Sequence, residues 1–86
     1  MPVISRFYGI TIRMFYNDHA PPHFHAVHGE HELTVRIDPV VVLAGSAPKH
    51  VQSMVVQWAE LHKSELLDNW NRGRRTDPFH PIDPLP

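Results

Sequence analysis

The chain contains no cysteine. That excludes disulfide support and thiolate metal sites, so any metal would have to be held by His, Asp or Glu. It also fits a cytoplasmic protein, because disulfides are rare in that compartment. Long apolar runs are missing: no stretch approaches the roughly 20 residues that a membrane-spanning helix needs. Met1-Pro2-Val3-Ile4-Ser5-Arg6 lacks the charged-then-apolar order of a signal peptide. The expectation is therefore a cytoplasmic location without membrane association. An excess of one charge is missing too. Eight Lys and Arg stand against nine Asp and Glu, and the formal net charge is -1 with histidines neutral. Bulk charge thus gives no reason to expect nucleic acid. There is no Gly-rich phosphate loop, no nucleophile elbow and no zinc-finger spacing. No internal repeat or second domain is visible in the 86 residues, and a domain of this size is only marginally stable alone.

What the chain does have is histidine. Five of its eight histidines fall between His19 and His31, within and just after Asp18-His19-Ala20-Pro21-Pro22-His23-Phe24-His25. Histidine titrates nearest physiological pH and is the commonest metal ligand. Protonating the set would make the chain cationic, so its surface field should depend on pH between about 5 and 7. On a strand, side chains alternate faces with a period of two, so His23 and His25 project from one face, roughly 7 Å apart along the chain.

Alternation of apolar and polar residues predicts a first strand over Gly9–Tyr16, with Ile10, Ile12, Met14 and Tyr16 on one side. Asn17-Asp18 ends it, and Pro21-Pro22 gives a stiff lead-in to the next strand. His23–His28 and His31–Asp38 flank Gly29-Glu30, the signature of a type II′ hairpin. In that register His28 faces His31, His25 faces Thr34 and His23 faces Arg36. Phe24, Ala26, Leu33, Val35 and Ile37 then share one face, while His23, His25, Glu32, Thr34 and Arg36 share the other. A one-residue slip would mix the two sets.

Val40–Leu43 reads as a short edge strand and Gly45-Ser46-Ala47 as a turn, with Ser46 as helix N-cap and Pro48 in the first turn. Val51, Met54, Val55, Trp58, Leu61, Leu66 and Trp70 follow helical spacing to about Arg72, with Gly73 as the stop signal. A break near Lys63-Ser64 is allowed, with Ser64 capping a second, shorter helix. The expected fold is α+β: an antiparallel sheet of three to four strands with one long or broken C-terminal helix packed on one face. Residues 1–75 form the domain. Residues 76–86 form a tail whose four prolines exclude regular structure, and whose Phe79, Ile82 and Leu85 could dock on the domain or on a partner.

If the first strand pairs with the hairpin, Arg13 joins the polar face. Arg13, His23, His25 and Arg36, with His19 and Asp18 at the rim, then make a site for an anion, most naturally a phosphate. In RNA cleavage without a metal, one histidine would take the 2′-hydroxyl proton, another would protonate the leaving oxygen, and an arginine would stabilise charge on phosphorus. Asp18 could orient His19. The rival chemistry is a metal site in which His19, His23 and His25 hold zinc or another divalent transition metal, with Asp18 as a fourth ligand or outer support. The blander reading is a polar, solvated strand face. For His28, His31, His50, His62 and His80 a structural role is preferred. Trp58 and Trp70 read as core anchors. Arg72, Arg74 and Arg75 form a basic patch suited to the helix dipole or to a contact with nucleic acid.

The run from Ile4 through Ile10, the motif Ile12–Ala26 with its Asp-His-x-Pro-Pro-His-Phe-His core, and the segments Trp58–His62 and Glu65–Trp70 together resemble a small bacterial family. It is the four-one-six-zero family of the domain-of-unknown-function series. Its members are lone small domains often encoded beside a second small family, an arrangement similar to toxin–antitoxin modules, and some are labelled transcriptional regulators. The resemblance implies a bacterial cytoplasmic protein with a cognate small protein partner from an adjacent gene. It implies no catalytic residue. The leading expectation is the toxin of such a pair, a metal-independent endoribonuclease acting through the His/Arg face. The alternatives are a non-enzymatic antitoxin or transcriptional-regulator-like module binding protein or DNA through the helix end and tail, and a histidine-based metal-binding protein. A homodimer also fits.

Overall fold

The computed structural model of the chain describes residues 2–86. Five strands, β1 (Val3–Phe7), β2 (Ile10–Arg13), β3 (His23–His28), β4 (His31–Arg36) and β5 (Val41–Ser46), form one antiparallel sheet in chain order. Two helices follow, α1 (Lys49–Leu61) and α2 (Lys63–Arg74). The α+β class and antiparallel sheet are as expected, but the sheet has five strands rather than three to four and the helical part is two helices rather than one.

The β3–β4 hairpin has the expected register, from His23 opposite Arg36 to His28 opposite His31. Gly29 takes a positive φ of 59° at the first turn position, the conformation a type II′ turn requires there. Phe24, Ala26, Leu33, Val35 and Ile37 are all buried on the core face.

The extra strand is β1, pairing with β2 through Tyr8-Gly9. Its turn is hard to read because Tyr8 holds a φ of 50°, which bulky residues rarely adopt, and a register shift between Val3 and Ser5 breaks the alternation. The predicted first strand is correspondingly trimmed to Ile10–Arg13.

Four local expectations need correction. Gly45 and Ser46 lie inside β5 rather than in a turn, Gly45 opposite Leu33 and Ser46 opposite Glu32. Gly45 has a φ of 87°, and a Cβ there would overlap the carbonyl oxygen of Glu32, so this glycine serves a close backbone approach. Because Ser46 is committed to the sheet, the N-cap of α1 is Pro48, whose carbonyl accepts from the Val51 and Gln52 N–H groups (3.0 and 3.1 Å). The helical break falls at His62, one residue before the expected site, and the His62 ring, not Ser64, meets the new first turn through Glu65 (2.7 Å). Gly73 does not stop a helix. It is buried within α2, where a Cβ would come within 2.9 Å of the Phe79 ring.

One face of the sheet carries the core. Val51, Val55, Trp58 and Ala59 of α1 and Leu66 and Trp70 of α2 supply the helical side, at the spacing of an amphipathic stripe. Trp58 is fully buried between Phe7 and Phe24, with ring centroids 5.4 and 5.7 Å away. The tail has no helix or strand but packs on this core through Ile82 and Leu85. Its backbone is held at four points. The Asn69 amide donates to the His80 carbonyl (2.9 Å) and accepts from the His80 N–H (2.8 Å). The Trp58 indole donates to the Asp83 carbonyl (2.8 Å), and the Ile82 N–H donates to the Ile4 carbonyl (2.8 Å).

Asn69 is fully buried, and its amide satisfies two backbone groups that would otherwise be stranded. Asn69→Ala should destabilise the domain by about 1–3 kcal/mol, measured as a shift in the urea midpoint. Unchanged stability would mean that the tail is not held there.

Candidate functional site

The polar face of the sheet is built by the same alternation that builds the core. Thr11, Arg13, His23, His25, Glu32, Thr34 and Arg36 share the face opposite Phe24, Ala26, Leu33 and Val35, and Arg13 stands opposite His25, which stands opposite Thr34. His23 stands opposite Arg36.

The β2–β3 connection brings Asp18 back over this face. Asn17 adopts a φ of 55°, and its N–H donates to the Gly73 carbonyl at the end of α2 (3.2 Å). Tyr16 stacks on Phe79 of the tail at 4.5 Å, and Phe15 meets the His25 ring edge-on at 4.8 Å. The Asp18 carboxylate is thereby set among three imidazoles. Its Oδ1 lies 2.9 Å from His19 Nδ1 and accepts the His19 backbone N–H at 2.8 Å. Its Oδ2 lies 3.0 Å from His23 Nε2 and 3.8 Å from His25 Nε2. Burial pushes the Asp18 carboxyl up, but the His19 N–H and the charges of His23, His19 and His25 outweigh it, and the net shift is downward. Asp18 is an anion at neutral pH.

The three rings are not equivalent. His23 is 4 % exposed, wedged against Trp70 at 5.3 Å, and its Nδ1 donates to the Pro21 carbonyl (2.7 Å). Both of its nitrogens are engaged. His25 is 17 % exposed, with Nδ1 3.5 Å from Glu32 Oε2 but without a hydrogen bond. Burial and then the neighbouring His23 push its pKa down, against the pull of Glu32 and Asp18. His19 is 87 % exposed, and its Nε2 is the free, solvent-facing nitrogen of the group.

The site residues inferred from sequence thus fall into three groups. Asp18, His23 and His25 converge, each offering a donor atom within 4.8 Å of the others. His19 sits at the rim on the other oxygen of Asp18, so the trio His19, His23 and His25 is not the set that converges. Arg13 and Arg36 flank the cluster by register. Among the described residues no carboxylate lies within 4.0 Å of either guanidinium. The Arg36 Nε donates to the Asp38 carbonyl (3.2 Å), and the Arg13 Nε is buried without a partner.

Elsewhere the sites offer less. Arg72 pairs with Asp68 and Arg75 with Asp77, both at short range (2.8 and 2.9 Å), so the basic patch at the helix end is partly neutralised. Surface hollows lie beside Lys49, Ser53 and Gln57 on α1 and between Ser64, Asp68 and His80, away from the cluster. Sequence reasoning missed Trp70 as the cover of His23 and Asn69 as the anchor of the tail. Asn69 does interrupt the stripe Leu66, Trp70 and Gly73 with a polar residue, and that is the signal that marked it.

A family model described as Domain of unknown function (DUF4160) matches residues 9–71. The chain belongs to this family. The match spans β2 through most of α2, so it contains Asp18, His23, His25, Arg13 and Arg36 but stops before Gly73 and the tail. No curated protein and no solved structure matches the chain. No helix among the described residues is long and apolar enough to cross a membrane.

A carbonyl oxygen only accepts, so the His23 contact with Pro21 requires the proton on Nδ1. Two-bond nitrogen–proton correlations recorded at alkaline pH should show His23 as the Nδ1–H tautomer. A neutral His23 carrying its proton on Nε2 would contradict the arrangement.

Proposed function

We propose that this DUF4160 protein is the toxin of a bacterial two-component toxin–antitoxin-like pair and acts on RNA through its His/Arg face. The observation that supports the reading is the placement of two arginines without acidic partners, Arg13 and Arg36, on either side of the Asp18, His23 and His25 cluster. An extended polyanion fits such a surface better than a small enclosed substrate does, because Arg13 and Arg36 stand on β2 and β4, on either side of β3. Arg13 as a whole is only partly buried and no carboxylate among the described residues neutralises its charge, so a phosphate oxygen is a natural partner for its guanidinium.

In this reading each residue has a limited task. Arg13 and Arg36 hold the phosphodiester and offset the charge that grows on phosphorus as its bond breaks. His19 exchanges protons with the substrate through its free Nε2, held in orientation by the Asp18 Oδ1 contact at Nδ1. His23 and His25 form the floor beneath, and His23 is too enclosed to touch substrate itself. The resemblance to families encoded in pairs supplies the partner, a small protein from an adjacent gene. β5 offers it an uncovered sheet edge with Val41 and Leu43 half exposed.

Expression without the partner should arrest growth and leave cleaved RNA. Arg13→Ala and His19→Ala should each lower cleavage by roughly 100-fold while the thermal midpoint stays within a degree or two of wild type. Intact RNA with the wild-type protein, or cleavage at the wild-type level by both variants, would remove the reading.

A further inference from the structure

A conflict at the floor of the site goes beyond the RNA reading. His23 Nδ1 carries the proton that it donates to Pro21, so in the neutral ring Nε2 presents a lone pair. That lone pair faces an anionic Asp18 oxygen at 3.0 Å, inside a position that is 4 % exposed. Two acceptors do not sit at this distance in a shielded place unless a proton or a metal cation lies between them. The third group in the same place, His25, also aims Nε2 at that oxygen, from 3.8 Å.

We propose that Asp18 Oδ2, His23 Nε2 and His25 Nε2 bind one divalent first-row transition-metal ion. Two imidazole nitrogens and a carboxylate on one side of an ion, with the other side open, make a donor set suited to zinc, cobalt or iron(II) and poor for calcium or magnesium. The spacing agrees. With ligands about 2.1 Å from an ion and bond angles between ~90° and ~130°, donor atoms stand ~3.0 to ~3.8 Å apart. The two separations from Asp18 are 3.0 and 3.8 Å.

The surroundings agree as well. Histidine ligands usually donate their second ring N–H to a carbonyl or carboxylate, which fixes the ring and its tautomer. His23 does so to the Pro21 carbonyl. His25 Nδ1 makes no hydrogen bond, and Glu32 Oε2, 3.5 Å away, is the carboxylate placed to accept from it once the ring turns toward an ion. The second oxygen of Asp18 remains bound to His19, leaving one oxygen for the ion. An ion held here would lie beside Arg13 and Arg36, which pair with His25 and His23 across the sheet. There it would add positive charge toward an incoming anion. This replaces the trio of histidines suggested by sequence spacing with two histidines and an aspartate.

The test uses the full chain, freed of any affinity tag and stripped of metal. Zn(II) is titrated by calorimetry, and Co(II) binding is followed by its visible absorption. One ion per chain is expected, with a dissociation constant near or below about 1 µM and a raised thermal midpoint. Asp18→Asn and His25→Ala should each weaken binding by at least ~100-fold, and Glu32→Gln by ~10-fold. His31→Ala should bind as wild type does, and His19→Ala should cost no more than the ~10-fold of an outer contact. Circular dichroism confirms that each variant is folded, and the partly exposed positions of Asp18 and His25 avoid the packing loss expected at His23. Absence of stoichiometric binding would overturn the proposal and leave a proton between His23 and Asp18. So would equal weakening by His19→Ala, or binding that survives in Asp18→Asn and His25→Ala. None of these readouts uses RNA, so the metal site and the RNA reading fail or stand separately.

Discussion

Strand β3 has to satisfy both of its faces at once. Phe24 and Ala26 enter the core beneath Trp58 while His23 and His25, which alternate with them, form the floor of the site. Because the faces alternate strictly, the register that buries the apolar set is the register that exposes the polar one. A slip of one residue would drive two imidazoles into the core and strand Phe24 in water, and burying an unpaired polar ring costs several times the thermal energy. Core packing therefore fixes the geometry of the site without any interaction dedicated to it. The same constraint carries across the sheet to Arg13 and Arg36, placed by pairing with His25 and His23.

The second constraint comes from the end of the chain. Asp18 lies on a loop, yet it is not loosely placed: the Asn17 N–H is bonded to Gly73, Tyr16 stacks on Phe79, and Trp70 covers His23. All three contacts are made by the last turns of α2 or by the tail, and the tail is held by Asn69, Trp58 and Ile4. The proline-rich segment thus belongs to the folding unit. Removing it would expose Ile82 and Leu85 binding surfaces in the core and loosen the loop bearing Asp18, so a truncation would report on folding before it reported on any partner.

Much of this was legible in the order of residues, and the limits have physical causes. The β3–β4 register followed from Gly29 and clean alternation, and the burial of Trp58 and Trp70 from helical spacing. β1 was hidden because Tyr8 occupies a turn position that sequence rules reserve for Gly, Asn or Asp, and because a bulge disrupts its alternation. Gly45 and Gly73 resembled a turn and a helix stop, but each is glycine for a neighbour's sake, one for the Glu32 backbone and one for the Phe79 ring. The richness of the site in histidine was visible, and Arg13, His23, His25 and Arg36 fell on one face as expected. What sequence spacing could not supply was the direction of Asp18, which decides that His19 stays at the rim while His23 and His25 converge.

That direction also bears on why the cluster exists. A partly buried carboxylate beside enclosed imidazoles is not an economical way to hold a loop, since desolvating such groups costs about as much as their attraction returns and a well-packed apolar substitute is often as stable. Here the loop is already held by Tyr16 and Asn17. The cluster is therefore surplus to the architecture. It gathers one anion and several nitrogen donors beside two guanidiniums that lack acidic partners. A fold that needed only stability would cover this face or spread its charges. This one concentrates them, which is what binding a cation below and an anion above would require.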